Sequence, residues 1–112
     1  MTHLIHISSG EEVLATLQDA ADRLGIQAAG ITLIGAVQTA TISVMHKDDP
    51  KADRIRSYDQ PLELSGTGEI INGEPHVHVT LCGEDLTVGG HLHGAVPRDF
   101  FVRAYVTPVT AP

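Results

Sequence analysis

Four histidines fall into two short pairs, His76-Val77-His78 behind Pro75 and His91-Leu92-His93 behind Gly89-Gly90. Residues two apart on a β-strand point to the same face of a sheet. Two such pairs on neighbouring strands would bring several imidazoles within reach of one ion. Three neutral imidazoles suit zinc, nickel, copper or iron rather than calcium or magnesium, and they leave a coordination position open. An ion held this way lowers the pKa of its bound water to about 7, which makes that water the most economical nucleophile here. No Ser-His-Asp or Cys-His arrangement competes with it. Glu63, or Glu69, would then accept the proton, although nothing local fixes the direction of either side chain and solvated or structural roles compete for both.

A strand with one wet face also carries histidines simply as polar residues, and a single His-x-His string recurs by chance. Two pairs whose parity matches weigh more. Apolar alternation tests that parity without reference to histidine, because a one-residue slip in register moves every side chain to the opposite face. Val77, Val79 and Leu81 alternate on the first strand, and Leu86, Val88 and Leu92 on the second. If both sets face one core, His76, His78, Thr80 and Cys82 share the other face with Thr87, Gly89, His91 and His93. A two-residue Glu84-Asp85 loop would set His78 opposite His91 and His76 opposite His93, with β-carbons roughly 4.5 to 5.5 Å apart. A bulge at Gly89-Gly90 would break the parity for His91 and His93.

The remaining candidates read as non-ligands. His3 and His6 lie three apart, a poor spacing for one strand face, and His46 borders an acidic segment. Cys82 stands four residues from His78, roughly 13 Å along a strand, and reads as a small buried or half-buried residue.

The elements that must carry these side chains follow from period and punctuation. His3 to Ile7 reads as a first strand. Ser9 as N-cap with Glu12 three positions on makes a capping box for one long helix over residues about 10–24, with Val13, Leu14, Leu17, Ala20, Ala21 and Leu24 as its apolar stripe and Gly25 as its left-handed end. Ala28 to Ile34 and Val37 to Met45 read as two strands broken near Gly35. His46 to Tyr58, with Asp48-Asp49-Pro50, reads as an exposed loop. Leu62 to Ser65 and Glu69 to Ile71 read as strands flanking a bulge or bend at Gly66-Thr67-Gly68. Asn72-Gly73 is a hairpin turn. His76 to Cys82, Leu86 to Leu92 and Phe100 to Thr107 complete the set. The fold class is α+β: a largely antiparallel sheet of six to seven strands with one helix packed on it.

The 112 residues fit a single domain over 1–112. With no tryptophan and four aromatics in all, the core must be built from Val, Ile, Leu and Ala, and oligomerisation would bury more surface. A formal charge of −7 without a Lys/Arg cluster repels a phosphate backbone. One cysteine excludes an internal disulfide and, with no apolar leader, suggests a reducing cytoplasmic setting. No apolar run approaches the roughly 20 residues that span a bilayer.

Gly73-Glu74-Pro75-His76-Val77-His78, followed by Gly89-Gly90-His91-Leu92, resembles the plant and prokaryote conserved (PPC) domain, found alone in prokaryotes and joined to AT-hooks in plant nuclear proteins. Gly10-Glu11-Glu12, Gly25-Ile26, Ile34-Gly35-Ala36-Val37, Leu62 to Gly68 and Val102 to Val106 extend the likeness over nearly the whole chain. The resemblance implies a mostly antiparallel sheet, a homotrimer, and a site in which His76, His78 and His91 match the family's recurrent histidines and bind zinc or a related ion. His93 has no assigned counterpart and stands as a fourth ligand, a supporting partner or a substrate-facing group. The AT-hook tripeptide is missing, so direct nucleic-acid binding fails the electrostatic check, although DNA binding is a name the family carries.

Three function classes are compatible with these residues. The first is a small cytoplasmic metal-binding homo-oligomer with a histidine cluster acting on, or binding, a small molecule. The others are a non-catalytic trimeric interaction module and a regulatory DNA-binding protein.

Overall fold

Apolar residues at every second position bury one face of each strand and leave the other wet. The computed structural model describes residues 1–110 and runs β1 (His3–Ile7), α1 (Val13–Leu24), β2 (Ala28–His46), β3 (Asp49–Ile71), β4 (Glu74–Cys82), β5 (Thr87–Val96) and β6 (Val102–Pro108). Val77, Val79 and Leu81 of β4 and Leu62, Leu64 and Ile70 of β3 meet Leu33, Val37 and Ile42 of β2 in one core. The helix closes it with Val13, Leu17, Ala20 and Ala21. The expected α+β class therefore holds, with six antiparallel strands in one sheet ordered β1-β6-β2-β3-β4-β5. No helix among the described residues is long and apolar enough to cross a membrane.

Strand β2 is the hub. One edge pairs with β3 along its length, while the other is shared, with β6 over Ala29 to Gly35 and β5 over Thr39 to Ser43. Because β5 returns to β2, strands β2 to β5 close into a ring and β6 and β1 extend from its side.

Several expected breaks are not breaks. Gly35 lies inside continuous β2, where a β-carbon would run into the Phe101 carbonyl. Gly66 and Gly68 lie inside continuous β3, and a β-carbon there would collide with the backbone carbonyl of His78 or His76. These glycines mark close backbone approach rather than a bend. One irregularity in β3 sits instead at Gln60 and Pro61, which together stand against Gln38, because Val37 pairs with Leu62 and Thr39 with Asp59, and a second lies near the tip, where Met45 pairs with Asp53 and His46 with Asp49. Proline has no N–H for a ladder, so a bulge accommodates it. The expected loop over His46 to Tyr58 is a long hairpin arm turning at Lys47-Asp48. Most of its residues are exposed on both faces, so no apolar period betrays the strands.

Strand ends also shift. The strand expected from Leu86 begins at Thr87 and continues to Val96, and the last strand begins at Val102 rather than Phe100. Asn72-Gly73 forms the expected turn with φ of 53° and 78°. Gly25 ends the helix at φ 66° as expected, but the Ser9–Glu12 capping box is not formed. Gly10 at φ 85° keeps the chain out of helix, Ser9 Oγ donates to the Arg98 carbonyl, and the helix starts at Val13. Glu12 is the N-cap. Its carboxylate accepts from the N–H of Leu14 at 2.9 Å, Ala15 at 2.9 Å and Ala95 at 3.0 Å, so one side chain caps α1 and ties it to β5.

Removing that carboxylate strands three donors. Glu12→Ala is expected to cost about 1–3 kcal/mol, measured as a lower urea midpoint at unchanged slope. Glu12→Gln, which keeps one acceptor oxygen, should fall between.

Candidate metal centre

The β4–β5 ladder sets His78 directly against His91, with Thr80 against Gly89 and Cys82 against Thr87. The connecting turn spans Gly83 to Leu86 and is closed by the Gly83 N–H on the Leu86 carbonyl at 2.8 Å. On the other side of β4, Thr67 pairs with His78 and Glu69 with His76. Val77, Val79 and Leu92 point into the core, so His76, His78 and His91 share the outer face.

Among the described residues, His76, His78 and His91 form a group whose donor atoms all lie within 4.8 Å of one another. Ring centroids are 5.0 Å apart for His76 and His78, 4.9 Å for His76 and His91, and 5.8 Å for His78 and His91. Two nitrogens on one tetrahedral zinc ion, each bonded at roughly 2.1 Å, lie about 3.4 Å apart. The three rings must therefore turn inward to ligate together, a movement open to side chains such as His76, which is 52% exposed. Burial first, and then the neighbouring His76, His93 and His78, hold the His91 pKa below its ordinary 6.5, while Asp53 acts weakly the other way. A neutral imidazole is the form that binds a metal. The donor set fits a borderline divalent ion.

His93 goes elsewhere. Thr41 pairs with Gly94 and Ile42 with Leu92, which leaves His93 as an extra residue where β5 crosses β2. No bulge breaks the parity at Gly89-Gly90, which stay in register; the irregularity lies at His93, and the β4–β5 ladder ends at His78 and His91, short of the expected His76–His93 pair. His93 Nε2 shares a 2.7 Å hydrogen bond with Ser43 Oγ, and its ring lies 4.9 Å from that of His91. Ser43 is buried and pairs with His91 in the ladder. Its part in the site is invisible in sequence, because the β2–β5 contact joins segments about fifty residues apart.

Of the two carboxylates, Glu69 stands beside the site, with Oε2 4.0 Å from His76 Nδ1. Glu63 pairs with Cys82, four residues along from His78, about 13 Å at 3.3 Å per residue. Cys82 is exposed rather than buried, since it sits on the outer parity of β4.

The Plants and Prokaryotes Conserved (PCC) domain model matches residues 1–110. The chain belongs to this family. The PPC likeness carried by the Pro-His-x-His and Gly-Gly-His-Leu strings is thereby established. Among solved structures, the PCC chain resembles a metal-containing protein of Archaeoglobus fulgidus at 28% identity and TM-score 0.82, covering 99% of this chain and 81% of that one. A PPC protein of Pyrococcus horikoshii matches at 26% identity and TM-score 0.86, covering 100% and 80%. A protein of Ralstonia eutropha, provisionally named as DNA-binding, matches at 27% identity and TM-score 0.82, covering 95% and 76%. No curated protein matches this PCC domain.

The lowered His91 pKa has a sign. Between 6.5 and the lower folded value, the unfolded chain binds a proton that the folded PCC domain does not, so stability is lost as pH falls through that window. In metal-free protein the urea midpoint should drop below pH 6.5, and His91→Asn should flatten the drop relative to wild type.

Proposed function

We propose that this PCC domain is a cytoplasmic metal-binding protein in which His76, His78 and His91 hold a divalent transition ion, with zinc as the ion of choice, at a small-molecule site. The single observation behind this is the convergence of three histidine donors within 4.8 Å on one sheet face. Support comes from the similar protein of Archaeoglobus fulgidus, which is metal-containing. When bound, such an ion supplies Lewis acidity. Glu69, 4.0 Å from His76 Nδ1, would reach hydrogen-bond distance by a side-chain rotation and then orient that ring through Nδ1, leaving Nε2 free to ligate, or accept a proton. Glu63 is too distant for either role. His93, tied to Ser43, supports His91 from behind rather than completing the set.

Elemental analysis of protein purified without an affinity tag tests this. Wild type should carry close to one ion per chain, His76→Ala and His91→Ala should lose it, and His93→Ala should keep most of it. Metal-free wild type would sink the proposal.

A second reading, assembly into a homotrimeric module, is favoured by the β2–β3 arm. Among the described residues, strand β3 has no neighbour on its outer edge before Glu63, and Val44, Met45 and Ile55 are 47%, 66% and 57% exposed. Unpaired edges with exposed apolar residues call for cover. Nucleic acid is a poor candidate. Lys47, Lys51, Arg54 and Arg56 lie on the arm, but Asp48, Asp49 and Asp53 interleave with them in a chain of net charge −7. Light scattering should give three times the 11.9 kDa chain mass, and Met45→Glu combined with Ile55→Glu should reduce it toward the monomer.

A further inference from the structure

Phe100 adopts φ 69°, a left-handed conformation in which a bulky side chain rarely sits. The buried Gln38 keeps the loop in this shape, since its Oε1 accepts from the N–H groups of both Arg98 and Asp99. Yet the Phe100 ring is 75% exposed. A strained backbone that presents an unburied aromatic ring serves neither folding nor packing, and strain of this kind gathers at ligand-binding sites.

Three adjoining surface depressions lead from His78 to this ring. The first stretch, about 300 Å³, is bounded by His78, Thr67, Thr80 and Ser65. A second, about 470 Å³, runs on from Ser65 past Ile34 to Phe100 and Phe101. A third, about 510 Å³, continues beyond Phe100 and shares Glu63 and Cys82 with the second. From His78 to Cys82 the groove spans four residues of β4, about 13 Å. Hydroxyls line the histidine end. Toward the far end Ile34, 60% exposed, and the Phe100 and Phe101 side chains add apolar surface beside Glu63. No lysine or arginine lines any of the three stretches, and Glu63 and Glu84 are their charged groups, so a carboxylate or phosphate at the far end would meet only repulsion.

We propose that the metal centre is one end of a ligand groove, and that its ligand is a small amphiphile with an oxygen-bearing head at the histidines and an uncharged apolar tail along Ile34 and Phe100. This rests on the metal-binding reading above. The head is met by the ion and by the hydroxyls of Thr67 and Thr80, the tail by the groove, and Phe100 is a specificity residue that acts on the tail alone.

Acetohydroxamic and octanohydroxamic acids share a metal-chelating head and differ in tail. Titrated into zinc-loaded wild type, the octanoyl compound should bind at least tenfold tighter, because its added methylenes leave water. Phe100→Gly and Ile34→Ser should pull that ratio toward one while acetohydroxamate affinity stays unchanged. Phe100→Gly should also raise the thermal midpoint, since glycine takes a positive φ without strain. Equal binding of the two compounds, or a ratio indifferent to Phe100→Gly, would overturn the proposal. So would a changed assembly mass in Phe100→Gly with the ratio intact, which would put Phe100 in a contact between copies. Zinc content measured on the same samples separates the two levels: zinc present without hydroxamate binding removes the groove alone, whereas zinc absent removes the metal centre and the groove with it.

Discussion

The pairing of His78 with His91 across β4 and β5 fixes a face as well as a neighbour. Side chains alternate, so a slip of one residue in either strand would turn its histidine into the core and expose Val79 or Leu92 to water. Burying an imidazole without partners and exposing a valine or leucine both cost free energy, and each side chain lost from the core forfeits roughly 1.5–3 kcal/mol. The hydrophobic core thus holds the histidines in register from the opposite face of the sheet. Metal ligation by these histidines would be an addition to a geometry that folding already enforces.

Closure of the ring adds the second constraint. Strand β5 must leave β4 and pair with β2 over Thr39 to Ser43, and the crossing inserts one extra residue at His93. A bulge re-aims the side chain it carries. His93 is turned to Ser43, and His91, the last residue of the β4–β5 ladder, is left at the junction of both pairings. Its position between β4 and β2 is why His91 is more buried than His76 or His78, and burial is the main cause of its lowered pKa. One topological event separates the clustered His91 from His93, two residues away.

Local signals in the sequence are faithful wherever one face of an element is buried. The alternation of Val77, Val79, Leu81 and Leu92 yields the register of the histidines, and the stripe from Val13 to Ala21 yields the helix face. Gly25 and Asn72-Gly73 reveal their positive φ because glycine and asparagine are the residues that tolerate it. Legibility fails where the physics is non-local. Gly35, Gly66 and Gly68 look like turns but are places where a neighbouring strand's backbone comes too near for a β-carbon. The arm around Lys47 looks like a loop because a ribbon wet on both faces has no apolar period. Glu12 rather than Ser9 caps the helix because its carboxylate is also required by Ala95, eighty-three residues away.

Gly66 and Gly68 connect these points to the site. By letting β3 and β4 approach closely beneath His78 and His76, they seat the first histidine pair on a backbone with little freedom to shift. Donors carried by paired strands start near their bound geometry, so an ion needs mainly side-chain rotation rather than chain movement to be held. The outer face beside His78 is lined instead by the alternate residues Ser65, Thr67 and Thr80, whose short side chains leave a shallow depression there. The glycines stiffen the histidine cluster from the core side and the small hydroxyl residues leave room on the outer side, so the position of any ligand at this site follows from how β3 packs on β4.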